Sequence, residues 1–394
     1  MVLLIDEGVL VVDIGLSTHT RHLTDRHVLD HLSGHAPLSR TELKSRTGLS
    51  QPTVLEAVNR LLDAGMVVEA GRGAGGRRGP SAQLYDIDAR CRVAAGASVS
   101  ASDVELAIVD LRGTVIAQRR QPFDPDESAS QVSDVVIDLI RSAGIDAERL
   151  AHVVVGTHGQ IERRTGDLGF AWDLPHWEHA TLETLRAALP CPVTLERDVE
   201  LAAAAEHVAG STQGLTNFGV LWIGMGLGYT SHIDGAVLRG STGAAGQIGY
   251  MPTPGAQSPP LPTRHDHTVG YHGGLQSLIG SEALHALAAE LEVDAPLSAL
   301  SRPSALLDAY APRVALGLAT VTALIDPGTI TLSGEVGHAG GDALATAVAA
   351  HLAQIAPTEC RVVAGHFGGD GVLRGALELA AREARDATWG AAAR

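Results

Sequence analysis

Between Ser39 and Ile87 the chain carries, in fixed order, a helix-capping pattern, a turn glycine, an amphipathic helix and two strands flanking a loop of glycines and arginines. Few folds accept that order. Ser39-Arg40-Thr41-Glu42 has the S-x-x-E spacing in which hydroxyl and carboxylate satisfy orphan N–H groups reciprocally at a helix start. Leu43 follows on the apolar face, and Gly48 stands where the helix must stop and turn. Ser50 is a good N-cap for the next helix, and Pro52 is tolerated in its first turn. Val54, Leu55, Val58, Leu61 and Leu62 are expected to form its buried face, and Gly65 to end it. His27–Leu32 predicts a short helix before this pair. Met66–Glu69 and Ser81–Ile87 predict strands on either side of the Gly71–Pro80 loop.

Two helices joined by a tight turn, then a hairpin with a basic tip, make a winged helix-turn-helix. Such a module places the front of its second helix at base edges in the major groove. The expected DNA contacts are Ser50, Gln51, Thr53, Glu56 and Arg60 on that helix, and Arg72, Arg77 and Arg78 on the wing. Gln51 can pair bidentately with adenine, Glu56 can accept from a cytosine amino group, and wing arginines suit phosphate or a narrow minor groove.

Charge distribution agrees. Residues 21–80 hold nine Lys and Arg against six acids, a balance of +3, whereas the whole chain carries −16 and the remainder therefore −19. A nucleic-acid contact is expected at one end only. Aromatic residues are 3% of the chain, which argues against a stacking platform for single strands. At 45% hydrophobic and 19% charged the chain can bury cores, and global disorder is excluded. Cys91, Cys191 and Cys360 lie far apart, without a C-x-x-C pair. No apolar run reaches the ~18 residues of a membrane span. Met1–Leu16 carries Asp6, Glu7 and Asp13 and no basic segment, unlike a secretory leader. A cytoplasmic protein with no membrane partner is expected.

Beyond residue 90 the pattern is α/β. Val104–Asp110 alternates like a strand, Leu111–Thr114 has hairpin-turn chemistry and Val132–Ala143 looks helical. His152–Gly156 is a buried strand. Val220–Gly228 runs from a strand into G-x-G-x-G, a turn that can cradle a phosphate or simply close a β-hairpin. Thr329–Gly334 repeats the strand-to-glycine step ahead of a helix at Asp342–Leu352. Alternating strands and helices imply a mixed α/β core in two lobes.

Three segments in this order resemble the ROK family of repressors and sugar kinases. Leu195–Glu206 resembles the family's E-N-D-x-N-x-x-A-x-x-E helix start. Asp234–Met251 resembles DGxxxxGxxGxAGExGHM. Gly334 and Gly337 resemble its C-terminal glycine motif on the nucleotide side. The resemblance implies an actin-like, ribonuclease-H-like two-lobed domain behind the DNA-binding module. It divides the chain into an extension at 1–20, a DNA-binding domain at 21–90 and a ROK domain at 91–394.

Departures from the family pattern shape the expected function. Family kinases use a D-x-G-G-T loop, and Ala94-Ala95-Gly96-Ala97-Ser98 stands there without the carboxylate. Phosphoryl transfer depends on such electrostatic positioning, so an enzyme is not expected. Asp198 matches the residue that holds the sugar hydroxyl. Its companion Asn is Arg197, and the sugar-contacting Glu, His and later Glu become Gln247, Tyr250 and Gln276. These five are the expected ligand site, for a sugar or an anionic sugar derivative. The family's zinc cysteines are absent; His265, His267 and His272 repeat their spacing, but no metal and no cofactor are expected. By resemblance, the chain is expected to be a ligand-controlled repressor acting on a double-stranded operator as a homodimer or homotetramer.

Overall fold

The computed structural model describes residues 14–35, 37–73, 82–100, 102–124, 129–162, 165–169, 171, 174, 177, 180–254, 256 and 273–391, with side chains from residue 21 onward. The N-terminal module comprises α1 (Ile14–Ser33), β1 (Leu38–Ser39), α2 (Arg40–Thr47), α3 (Gln51–Asp63), β2 (Val67–Arg72) and β3 (Gln83–Ile87), its strands ordered β1-β3-β2 and antiparallel. Both caps form as the sequence predicts. Ser39 Oγ accepts from Glu42 N while Glu42 Oε2 accepts from Ser39 N, and Ser50 Oγ accepts from Thr53 N. Those bonds hold the Glu42 carboxyl below its usual pKa. Gly48 and Gly65 take the left-handed conformation, with φ of 71° and 67°. The first helix is longer than the His27–Leu32 segment predicted, and its start at Ile14 precedes residue 21.

The first lobe comprises β4 (Val93–Val99), β5 (Asp103–Asp110), β6 (Val115–Pro122), α4 (Ser130–Ser142), β7 (Leu150–Thr157), β8 (Gln160–Ile161), β9 (Leu168–Gly169), α5 (Thr181–Ala188), β10 (Val193–Arg197) and α6 (Asp198–Ala209). The second comprises β11 (Phe218–Ile223), β12 (Leu227–Ile233), β13 (Ala236–Val237), α7 (Gln276–Ile279), α8 (Ser281–Glu290), α9 (Pro296–Ala299), α10 (Ala305–Ile325), β14 (Thr329–Ser333), α11 (Gly334–Ile355) and β15 (Arg361–Ala364). The two five-stranded sheets share one topology, β10-β7-β4-β5-β6 and β15-β14-β11-β12-β13. In each, an antiparallel meander is extended by two parallel strands. The G-x-G-x-G segment closes the β11–β12 hairpin, Gly224 N donating to Gly226 O. The predicted Asp342–Leu352 helix is the second half of α11, which kinks at Gly341, where φ is 53° and ψ −148°.

A final helix, α12 (Gly371–Ala391), returns from the second lobe to the first. It packs at backbone contact on two elements. A Cβ on Gly96 of β4 would lie 2.9 Å from Leu377 N, and one on Gly375 would lie 1.8 Å from Leu201 O of α6. Its other end joins a buried cluster that is continuous with the N-terminal module. Leu29, Leu32 and Val58 there share a core with Ala94, Val109 and Leu111 of the first sheet and Ala380, Ala384 and Trp389 of α12. Trp177 is fully buried against Phe123. Among the described residues no helix is long and apolar enough to cross a membrane.

Candidate functional site

The surface expected to meet DNA starts with the periodicity of α3. Val54, Ala57, Val58 and Leu61 are buried, which turns Gln51, Pro52, Leu55, Glu56 and Asn59 outward as one exposed stripe. Leu55 corrects the sequence reading. It is 38% exposed, because it lies about 100° around the helix from Val54 and away from the centre of the buried face. An apolar side chain there can meet a thymine methyl group. Ser50 and Thr53 cap the helix, their hydroxyls 2.7 Å apart. Arg60 is engaged within the protein. Its Nε and Nη2 donate to the buried Asp25 carboxylate of α1 at 3.1 and 2.6 Å, and Glu56 lies one turn away at 4.0 Å. Arg72 ends β2 exposed, whereas Arg77 and Arg78 lie outside the described residues.

A contact across the domain boundary was not anticipated from the sequence. Arg112, in the β5–β6 turn of the first lobe, donates to Leu32 O at 3.1 Å and Ser33 O at 2.8 Å and pairs with Asp86 of β3. A guanidinium thus caps the carbonyl end of α1, where a cation is favoured. Arg26 of α1 pairs with Asp386 of α12, and Arg385 donates to Leu111 O at 2.8 Å.

The five expected ligand residues sit at the end of β10, at the starts of α6 and α7, and in the segment between β13 and α7. Arg197 is buried at the end of β10, donating to Ala245 O at 2.7 Å and Tyr229 O at 3.4 Å, with Glu200 Oε1 at 3.6 Å. Asp198 opens α6, half-buried, its Oδ1 accepting from Val199 N at 2.7 Å. Gln247 reaches across to donate to Gly159 O at 3.4 Å, and Gln160 donates to Thr242 O at 3.2 Å beside it. Tyr250 is half-buried next to Gly249, and an added Cβ at Gly249 would lie 3.5 Å from Gln276 Oε1. Gln276 itself is buried and clamps the β11–β12 turn: Oε1 accepts from Leu227 N at 2.8 Å and Nε2 donates to Met225 O at 2.6 Å. An amide supplies both roles there, whereas an ionised carboxylate could only accept. Arg197 and Gln276 therefore brace neighbouring loops, and Asp198, Gln247 and Tyr250 are half-buried.

Sequence reasoning missed Glu200 and Arg239. Arg239 Nη2 lies 2.8 Å from Glu196 Oε2, and its Nε 3.1 Å from Glu200 Oε2. Burial and the neighbouring Glu196 push the Glu200 carboxyl up to about 8. The signal was present: Arg197 and Glu200 both replace asparagines of the family pattern, one adding a positive and the other a negative charge. Two further features lie near α6. Glu206, fully buried, accepts from Ser211 N, Ser211 Oγ and Phe367 N at 2.7–2.9 Å, tying the end of α6 to the segment leading into α12. A cavity of about 490 Å³ opens beside it, lined by Ser211, His338, Asp342, Gly365 and His366. Among the described residues no group of three or more His, Cys, Asp or Glu side chains is placed to hold a metal; His265, His267 and His272 lie outside them.

The ROK family model matches residues 95–383, and the MarR family model residues 21–79. An uncharacterized protein of Sinorhizobium fredii is 27% identical over 260 residues, 64% of this chain and 65% of that protein. The xylose repressor of Bacillus subtilis is 26% identical over 247 residues, 61% of this chain and 63% of the repressor. The chain thus spans less than two thirds of the length of these curated relatives. A solved ROK family transcriptional regulator, described as a homologue of the E. coli MLC protein, superimposes with a TM-score of 0.68 at 19% identity, covering 95% of this chain and 99% of that one. A ROK hexokinase of Thermus thermophilus has a TM-score of 0.59 at 22% identity over 75% of this chain and 99% of its own. The fold is a winged helix followed by a two-lobed ROK domain, and with the family match running across both lobes the chain belongs to the ROK family.

Proposed function

We propose that this protein is a DNA-binding transcriptional repressor of carbohydrate-related genes, and that a sugar or sugar derivative in the interlobe groove controls its grip on a double-stranded operator. The observation that carries this reading is the unbroken packing from Asp198 to the DNA-reading helix. Asp198 opens α6, α6 packs on α12 at backbone contact, and α12 shares a buried core with α1 and α3. A ligand that prefers one arrangement of the lobes would then bias the position of α3, by no more than its differential affinity for the two arrangements. Asp198 is the proposed anchor, since a carboxylate makes charge-assisted bonds to hydroxyls. Gln247 and Tyr250 surround it, with Arg197 and Gln276 as the frame. Ser50, Gln51, Thr53, Leu55 and Glu56 would face the major groove, and Arg72, Arg77 and Arg78 the backbone or minor groove. Such a regulator works in the cytoplasm as a homodimer or homotetramer, without a cofactor and without catalysis.

The test is operator binding by fluorescence anisotropy, on a site selected from random duplexes, with and without D-xylose and D-glucose. Sugar is expected to weaken wild-type binding at least tenfold. Asp198→Ala should lose that ratio; release of DNA by the variant at the wild-type sugar concentration would move the effector elsewhere.

One observation favours a second reading, a sugar kinase carrying an accessory DNA-binding domain: the cavity of about 490 Å³ on the glycine-motif side of the second lobe has room for a nucleotide. Against it, Ala94 stands where the resemblance puts the kinase carboxylate, and it is fully buried beneath α12. Release of ADP from ATP in the presence of hexoses or amino sugars would favour the kinase.

A further inference from the structure

A second cleft lies beyond Asp198, on the α5 side of β10. It has a volume of about 270 Å³ and is walled by Glu162, Arg186, Glu196, Arg197, Glu200 and Arg239. None of Asp198, Gln247, Tyr250 and Gln276 lines it. Its floor is built rather than incidental. Glu200 has a side chain only 3% exposed, and Arg239 crosses from the second lobe to lie against both Glu196 and Glu200. Glu200 Oε2 is buried among charged groups and has only the Arg239 ion pair at 3.1 Å, with no hydrogen bond of full geometry among the described residues. A buried acceptor left in that state calls for a donor. The mouth is more open: Glu162 is half-buried and Arg186 exposed, its guanidinium 3.5 Å from Val193 O.

From this geometry we infer that the cleft is a binding site for a small uncharged polyol, separate from the Asp198 groove, in which a ligand hydroxyl donates to Glu200 Oε2. The chemical class follows from the walls. Three carboxyl groups, of which the buried Glu200 titrates high, face three guanidiniums, so a charged ligand meets like as well as opposite charges. A hydroxyl does not. It donates to a carboxylate and accepts from a guanidinium at once, and alternating partners of the two kinds suit a chain or ring of adjacent hydroxyls. The volume falls just below the ~300–1,000 Å³ of sites for drug-sized ligands, which fits a single sugar ring. Arg197 belongs to both neighbourhoods, since it lines this cleft and also holds Ala245 and Tyr229 beside the groove. The inference rests on this cleft and not on the reading of Asp198.

Calorimetric titration of the full chain with D-glucose, D-xylose and myo-inositol separates the two sites. The proteins are wild type, Asp198→Ala, and Asp198→Ala combined with Glu162→Ala and Arg186→Ala, two positions at the open mouth. At least one of the three polyols should bind Asp198→Ala, and the added pair of substitutions should weaken that binding tenfold or more with an unchanged circular dichroism spectrum. Glucosamine and glucuronate should bind Asp198→Ala at least tenfold more weakly than the best neutral probe. Failure of all three polyols to bind Asp198→Ala, equal binding after the mouth substitutions, or tighter binding of a charged sugar would each overturn the assignment. Binding that survives Asp198→Ala and vanishes with the mouth pair, while the DNA response to sugar persists in Asp198→Ala, would uphold this cleft and reject the Asp198 groove.

Discussion

Restoring the family's carboxylate at position 276 should damage the fold, and the damage should depend on pH. Gln276 is 5% exposed and makes two bonds, accepting from Leu227 N at 2.8 Å and donating to Met225 O at 2.6 Å. Gln276→Glu keeps the first bond. In its ionised form it replaces the second with two oxygens facing each other, and it brings a charge into a site nearly closed to water. Leaving one buried carbonyl unpaired costs about 1–3 kcal/mol, and an uncompensated buried carboxylate adds a similar amount, so a loss of about 3–5 kcal/mol is expected at pH 8. The introduced carboxyl would have a folded-state pKa above its unfolded value. Its favourable contribution is then complete below the unfolded pKa and is lost as pH rises through the folded one. At pH 4.5 the protonated acid can again donate to Met225 O, and most of the loss should disappear. Urea denaturation at pH 4.5 and pH 8, wild type against variant, measures the difference. Equal stability at pH 8, or a deficit that does not change with pH, would refute the clamp as the reason an amide stands here.

Arg112→Ala removes the cation from the carbonyl end of α1 and its pair with Asp86. With both side chains about a quarter exposed, a loss of about 1–2 kcal/mol is expected by denaturant melting, together with a reduced sugar response in the anisotropy assay; an unchanged response would remove this contact from the coupling. Burial, then the neighbouring His207 and Arg239, lower the pKa of His232 to about 4, so its contribution is complete above pH 6.5 and is lost as pH falls towards 4. Melting temperatures between pH 7 and pH 4.5 should fall more steeply in wild type than in His232→Phe, and parallel curves would contradict that environment. Gln51→Ala should relax discrimination at one base pair by about 1–3 kcal/mol, while Arg77→Ala with Arg78→Ala should weaken binding to all sequences and flatten its salt dependence. A salt slope unchanged in the double variant would take the wing out of the interface.

The core is continuous between the winged helix and the ROK domain, which bears on how the proposed ligand control could act. α1 packs directly on the body: Leu29 and Leu32 lie in the same cluster as Ala380 and Trp389 of α12. Glu206 ties the far end of α6 to Phe367 N just before α12. Packed elements of this kind shift as units rather than deform continuously. Removal of Glu206 would leave two backbone donors, Ser211 N and Phe367 N, unsatisfied in the interior, so Glu206→Ala is expected to lose both stability and coupling.

What could be read from the sequence is what short-range physics decides. The Ser39–Glu42 and Ser50–Thr53 caps span three residues, the turn glycines act on their own backbone, and the strands show in runs of apolar residues; these placed the module, its second helix and both halves of the ROK domain. The family motifs likewise located Asp198 and the groove loops. The roles of single side chains were settled elsewhere. Arg60 finds Asp25 35 residues away, Arg197 finds Ala245 at 48, Gln276 finds Leu227 at 49 and Glu206 finds Phe367 at 161. A long polar side chain meets whichever partner the packing of distant elements brings within about 3 Å, and neither periodicity nor spacing encodes that partner. The same holds for Leu55, whose outward direction follows from which neighbours surround α3. Local pattern therefore determined the elements and their order. Only the tertiary structure decided which of the expected site residues are engaged within the protein and which stay exposed or half-buried.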